Sequence, residues 1–367
     1  MDSESLSVKI LKAMGHPIRL KIVKFLLDKP HCVCELKENL DFSQPNLSQH
    51  LKILKERNMN TLTLKEYGDG NIKSNSVLIS LDDGYYDNYS KVFPLLKKYN
   101  MKATVFLNTL YIKEKRDGTT EILLNGKANY EAMKNYVETG DGNTEQYLTW
   151  EEIREMYQSG LVDFQAHSHK HTAVFVSDKI EGFFNGDGED ITDMYLYGKV
   201  ERGYPKFKKR GEYSSQGIII KKEFFKKFKE YYDRELEGKD EKEKLKLAQM
   251  YIDNNKEKYF YYESEKDFLD RVREEFLLNK KIMEENIGNK VEYFCWPWGH
   301  RNKKVAEILK KEGVKGFVTT KKGTNGRVPN YDVIRRIELR KFTPEKFKLN
   351  LFIARNYILG KIYGLVS

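Results

Sequence analysis

Apolar positions along this chain change their period near residue 60. Before it they recur every three or four residues: Leu6, Ile10 and Leu11, then Ile18, Ile22, Phe25 and Leu26 after Pro17, then Leu47, Leu51 and Leu54. That spacing predicts helices across 5–57. Pro30 breaks the pattern, a short helix covers 33–40, and the last helix opens at Ser43 with Pro45 tolerated in its first turn. Beyond residue 60 short apolar runs alternate with helical patterns. Strands are expected over 76–81, 103–107, 162–166, 291–295 and 316–320. Helices are expected over 89–99, 150–159, 266–287 and 303–312, the second opened by a Thr149 cap with Glu151 and Glu152 behind it. Strands and helices in alternation with short links predict a parallel sheet or barrel. Two insertions interrupt the alternation, a polar one at 111–148 and one at 174–262 rich in Lys, Glu, Tyr and Phe.

Composition narrows this picture modestly. The 367 residues suffice for two domains, and a boundary falls at Met59, giving 1–58 and 59–367. A hydrophobic content of 40% supports a packed core, and a net charge of +10 is spread over Lys/Glu-rich segments. Cys32, Cys34 and Cys295 form no disulfide framework and suit a reducing compartment. The N-terminus lacks a basic region followed by an apolar run, and no stretch of about 18 apolar residues occurs, so a cytoplasmic location is expected. The run from Phe347 to Val366, mixed with Lys348, Arg355 and Lys361, reads as a packing helix, with contact to a membrane as the alternative.

Three blocks carry chemistry. An apolar run ends in Asp82-Asp83-Gly84, the stretch His167-Ser168-His169-Lys170-His171 follows, and Cys295-Trp296-Pro297-Trp298-Gly299 comes last. Adjacent aspartates on a regular strand point to opposite sides, but Gly84 permits a turn that brings both toward one pocket. One carboxylate then serves a metal while the other takes a proton, or both merely cap a turn. His167 and His171, one helical turn apart, can converge on one ion, with His169 aimed elsewhere. Two neutral imidazoles and a carboxylate suit a single divalent ion with an open position, Zn²⁺ best and Co²⁺, Ni²⁺ or Mn²⁺ acceptably. Trp296, Pro297 and Trp298 would line a groove for sugar rings.

In this order, the blocks resemble the motifs of the polysaccharide deacetylase family, the NodB homology domain of carbohydrate esterases: Ser80-Leu81-Asp82-Asp83-Gly84, His167 to His171, and Trp296-Pro297-Trp298-Gly299. The resemblance spans about 60–345. It implies an irregular seven- or eight-stranded (β/α) barrel. It also implies Asp83, His167 and His171 as metal ligands, Asp82 as base, and the backbone N–H at Trp298 as an oxyanion donor. The implied activity is a hydrolase of non-peptide carbon–nitrogen bonds that removes acetyl from an N- or O-acetylated polysaccharide, glycan or envelope precursor. The family's late histidine has no counterpart in Val333-Ile334-Arg335-Arg336-Ile337-Glu338-Leu339. His300 is the candidate general acid in its place, with Asp82 returning its proton as the alternative.

Ahead of this, Ser43, Gln44, Asn46, Gln49 and His50 form the polar face of the Leu47–Leu51–Leu54 helix, as a major-groove reader requires. With Leu11 to Leu20 and Cys32-Val33-Cys34-Glu35-Leu36, this segment resembles ArsR-family helix-turn-helix repressors over about 5–58. The resemblance implies a soft-metal site at Cys32 and Cys34. The wing and dimerisation helix of that family are missing, so weak DNA binding is expected. The alternative function is an ArsR-like DNA-binding regulator with a C-terminal ligand-sensing or inactive deacetylase-like domain.

Overall fold

The computed structural model describes residues 44–73, 75–116, 135, 139, 144–186, 188, 190–325, 329–339 and 343–366. Cys32, Cys34 and Ser43 lie outside the described residues.

The described chain opens with α1 (Gln44–Glu56), β1 (Asn60–Leu62) and α2 (Leu64–Gly68), the last started by a capping box between Thr63 and Glu66. The expected strand over 76–81 is two strands, β2 (Ser76–Leu78) and β3 (Ser80–Leu81). It divides because it serves two partners: β2 pairs in parallel with β1, whereas β3 pairs with β4 (Ala103–Asn108). Between β3 and β4 runs α3 (Phe93–Tyr99), entered through a π-helical turn at Asn88–Val92 and Pro94. Next come α4 (Trp150–Gln158), with its Thr149–Glu152 capping box, and β5 (Val162–Ser168).

Every residue of β4 and β5 is buried, as expected for parallel strands covered on both faces. Two later strands complete the sheet after the second insertion: β10 (Tyr293–Cys295) and β11 (Gly316–Val318), numbered after β6 to β9 below. Five parallel strands run in the order β11-β10-β5-β4-β3, beside the separate β1–β2 pair. The outcome is a curled half-barrel, the irregular α/β barrel expected. Its described strands divide five and two between two sheets and do not close a single ring. Gln165, fully buried on β5, stitches the centre: its Oε1 accepts the N–H groups of Glu292 and Tyr293, each at 2.9 Å.

The insertion after β5 is a layer of its own. β6 (Ala173–Phe183), α5 (Ile191–Tyr197), β7 (Pro205–Gly211), β8 (Ile218–Ile220), α6 (Lys222–Tyr231), α7 (Glu241–Tyr259) and β9 (Phe260–Tyr262) build an antiparallel sheet, order β7-β6-β8-β9, under helices. The charged insertion has a buried stripe, Phe224, Phe225 and Phe228. It forms an aromatic core with Phe175 and Tyr259, separate from the core of the parallel sheet. The chain returns through α8 (Glu265–Ile287), capped by Ser264, and α9 (Lys303–Lys311), and ends in α10 (Pro344–Arg355) and α11 (Tyr357–Val366). At the first insertion, Arg116 ties the stem. It pairs with Glu145 and Glu152, both at 2.7 Å, and stacks over Tyr86 at 3.7 Å.

Among the described residues, the helix that precedes the expected boundary at Met59 packs on the half-barrel. Leu51, Ile53 and Leu54 of α1 lie in the same buried cluster as Leu96, Met101 and Leu148, with Phe347 and Leu351 of α10 beside them. The helix-turn-helix pattern placed Leu51 and Leu54 on an apolar face but could not say that the half-barrel would supply what covers it.

Candidate active site

The site lies at the C-terminal ends of β3, β5 and β10, the edge where loops of a parallel sheet converge. Asp83 follows β3 with φ +72° and Gly84 with φ +73°. The left-handed turn thus starts at the aspartate itself, and it turns the Asp83 carboxylate toward the histidines. His167 is the sixth residue of β5, not part of a helix, and His171 sits in the following turn with φ +51°. The rings meet because strand and turn fold back, not through helical spacing. Their centroids are 4.9 Å apart, and their Nε2 atoms lie 3.4 and 3.5 Å from Asp83 Oδ1.

Each of these groups is oriented by a neighbour. His167 Nδ1 is 2.7 Å from the Cys295 carbonyl oxygen and donates to it, which leaves the Nε2 lone pair facing Asp83. Asn108 Nδ2 donates to Asp83 Oδ1 at 3.0 Å. The Ser168 hydroxyl donates to Asn108 Oδ1 and accepts from His171 N–H at 2.8 Å. Behind the loop, Glu275 of α8 accepts the N–H groups of His169 and Lys170 at 2.6 and 2.9 Å, and Tyr213 donates its hydroxyl to the same carboxylate. Asn279, one turn along α8, donates to Thr109 Oγ1 at 3.0 Å and to the Ser168 carbonyl. His169 is buried and bonds Thr109 Oγ1 at 2.9 Å, away from the cluster.

The electrostatics favour a cation among these side chains. Burial raises the Asp83 pKa, but His167, His171 and Asn108 outweigh it and hold the carboxyl well below its usual range. Burial and His167 push His171 down to about 4, so it is a neutral imidazole. Burial disfavours charge on His167, yet Cys295 and Asp83 outweigh it and pull its pKa above the ordinary imidazole value. Asp83, His167 and His171 present one ligand atom each within 4.8 Å of one another, the only such group among the described residues. One hard oxygen and two imidazole nitrogens fit a divalent first-row cation.

Asp82 stands apart from that triplet. Arg336 grips it with both terminal nitrogens, Nη1 to Oδ1 and Nη2 to Oδ2, each at 2.7 Å. Burial raises its pKa, and Arg336 and His167 overcome that, leaving it ionised. Arg336 was passed over in the sequence, in the stretch read only for a missing histidine.

The aromatic block divides. Trp296 is 2% exposed and stacks on Phe317 at 5.4 Å, and Pro297 is also buried, so neither is a groove residue. Only Trp298, 42% exposed, faces out, because φ +52° turns it from the line of β10. Its ring lies 4.2 Å from that of His171. His300 stands beside it at 6.4 Å, its Nδ1 accepting the Gly211 N–H at 3.3 Å. Burial and Arg210 lower the His300 pKa, which makes it a poor proton donor at neutral pH. Gly211, the last residue of β7, has no room to spare: a Cβ there would lie 2.7 Å from Trp298.

The DNA-reading candidates fare differently. Gln44, Asn46, Gln49 and His50 all fall on α1, and Gln49 is exposed. His50 is 5% exposed and its ring packs on Phe347 at 4.3 Å, so the described chain does not offer it to a base edge.

Sequence comparison agrees with this geometry. Residues 69–182 match the family model for polysaccharide deacetylase, and residues 16–59 that for bacterial regulatory protein, arsR family. Among curated proteins, YxkH of Bacillus subtilis is 43% identical over 77 residues, 20% of this chain and 28% of that protein. The poly-beta-1,6-N-acetyl-D-glucosamine N-deacetylase of Staphylococcus aureus is 28% identical over 136 residues, 36% of this chain and 38% of the enzyme. The matches thus span well under half of these relatives. Among solved structures, the BpsB deacetylase domain from Bordetella bronchiseptica superposes with a TM-score of 0.50 at 18% identity, covering 85% of this chain and 91% of that one. The fold is thus the half-barrel of that solved domain. The polysaccharide deacetylase match covers β2 to β6, with Asp83, His167 and His171 inside it, and α1 falls within the match to the arsR family.

Proposed function

We propose that this chain is a metal-dependent hydrolase that removes acetyl groups from an N-acetylated sugar polymer or glycan precursor. The observation that carries the reading is the pairing of a ligand triplet, Asp83, His167 and His171, with a separate ionised carboxylate, Asp82, fixed by Arg336. Those three side chains would hold the ion, Zn²⁺ fitting them best. When bound, it supplies Lewis acidity toward water and an acyl oxygen.

The chain's own groups supply the rest. Asp82 takes the proton of the attacking water, its second lone pairs held still by Arg336. The Trp298 backbone N–H faces the charge that develops on the acetyl oxygen. The Trp298 ring lies against a sugar face and keeps water off the reacting carbonyl. Asp82, having gained a proton, returns it to the departing amine, since His300 is held neutral and already accepts from Gly211. A poly-N-acetylglucosamine chain is the substrate class suggested by the staphylococcal relative. The regulator reading has the burial of His50 against it.

Acetate release from N-acetylglucosamine oligomers tests the proposal. Activity is expected with the metal-loaded protein, to vanish with chelator and in His171→Ala together with the metal. Asp82→Asn is expected to keep the metal and lose roughly 10²-fold in rate. Full activity in chelator would overturn the metal assignment, and a normal rate in Asp82→Asn would overturn the base.

A further inference from the structure

The two C-terminal helices present an apolar stripe outward. On α10, Phe347 and Leu351 point into the core with α1, while Leu349 and Phe352, at i and i+3, are 57% and 60% exposed. On α11 the same spacing repeats with Leu359 and Ile362, 36% and 50% exposed. Four of the thirteen exposed large hydrophobic side chains among the described residues thus fall on these two consecutive helices, which touch each other.

Charge identifies what covers it. Residues 343–366 carry Lys346, Lys348, Arg355 and Lys361 against a single acid, Glu345. Lys348 and Arg355 are exposed on the same outer side as Leu349 and Phe352. A protein partner would have to offer an apolar groove with an acidic rim. An anionic lipid surface offers both at once, acyl chains for Leu and Phe and headgroups for Lys and Arg. The helices have 12 and 10 residues, and no described helix is long and apolar enough to cross a membrane, so this pair would lie in the surface plane.

We propose that α10 and α11 form an interfacial docking surface for an anionic lipid membrane. The pair is also near the catalytic loops: an added Cβ at Gly364 would lie 3.0 Å from the Lys322 carbonyl, which accepts from Arg335, the neighbour of Arg336. Docking would therefore set the site close to the bilayer. The proposal is independent of the hydrolase reading, because binding is read without turnover.

The test is co-sedimentation of the full chain with phosphatidylcholine–phosphatidylglycerol vesicles and with phosphatidylcholine alone. Salt-sensitive binding to the mixed vesicles only is expected. Leu349→Ser/Phe352→Ser/Ile362→Ser and, separately, Lys348→Glu/Arg355→Glu are each expected to weaken it at least about tenfold, with unchanged thermal melts because the altered side chains are exposed. Absence of binding to the mixed vesicles, or equal binding by both folded variants, would overturn the proposal. So would a concentration-dependent dimer in lipid-free sedimentation that the apolar variant abolishes, which would assign the stripe to a second copy.

Discussion

Asp82 and Arg336 lie 254 positions apart in sequence and 2.7 Å apart in space, twice over. The arginine sets both the direction and the charge of the carboxylate. Without it burial dominates, and the Asp82 pKa rises. A base works only when ionised, so the acid limb of the kcat/KM profile of Arg336→Leu is expected to move to higher pH, with a lower plateau. A limb at its original pH would show that Arg336 only packs. The sequence displayed Asp82 and Asp83 plainly, because the apolar run and Gly84 mark a strand end. It could not display Arg336, whose part depends on β11 lying next to β10 and the chain after it folding back. It also misassigned Trp296: two residues apart, Trp296 and Trp298 would share a face on a continuing strand, but β10 stops at Cys295 and the left-handed Trp298 sends the two rings apart.

At the scale of elements, the histidine loop between β5 and β6 is held from behind by α8. Glu275 accepts two successive backbone N–H groups from the stretch between the two ligands, and Asn279 donates its amide N–H to the Ser168 carbonyl there. A neutral amide cannot accept both N–H groups and the Tyr213 hydroxyl equally well. Glu275→Gln is expected to weaken metal binding by about 10- to 100-fold, the usual effect of removing an outer partner of a ligand, while circular dichroism stays unchanged. Undiminished affinity in a metal titration would mean that the loop holds itself. The elements themselves were largely legible: Thr149 announced its helix, and the buried runs announced β4 and β5. The helical spacing of His167 and His171 misled, since four residues span a strand end and a turn as readily as one helical turn. The layer of β6 to β9 escaped notice because its Phe residues sit within dense Lys and Glu.

For the whole molecule, α1 matters most. It resembles a DNA-reading helix in sequence yet closes the core of the half-barrel through Leu51, Ile53 and Leu54. Leu→Ala changes at such sites cost about 2–5 kcal/mol each, against a typical total of about 5–15 kcal/mol. A chain starting at Met59 is therefore expected to be insoluble or to melt far below the full-length protein. An unchanged melting temperature for 59–367 would make α1 a mere appendage. Sequence pattern could show that the helix has an apolar face, not which domain owns it.

The contact at Gly211 ties two otherwise independent histories together. The aromatic core of the insertion can drift by repacking among its own Phe and Tyr residues without disturbing the Asp–His–His cluster, since the two cores are separate. Where β7 ends, that freedom stops: the strand abuts the one exposed tryptophan of the site, and hydrogen and carbon leave room for nothing larger than glycine. The insertion is thus pinned to the site at one point. Position 211 sets how closely β7 approaches Trp298, whatever repacking occurs in the aromatic core behind it.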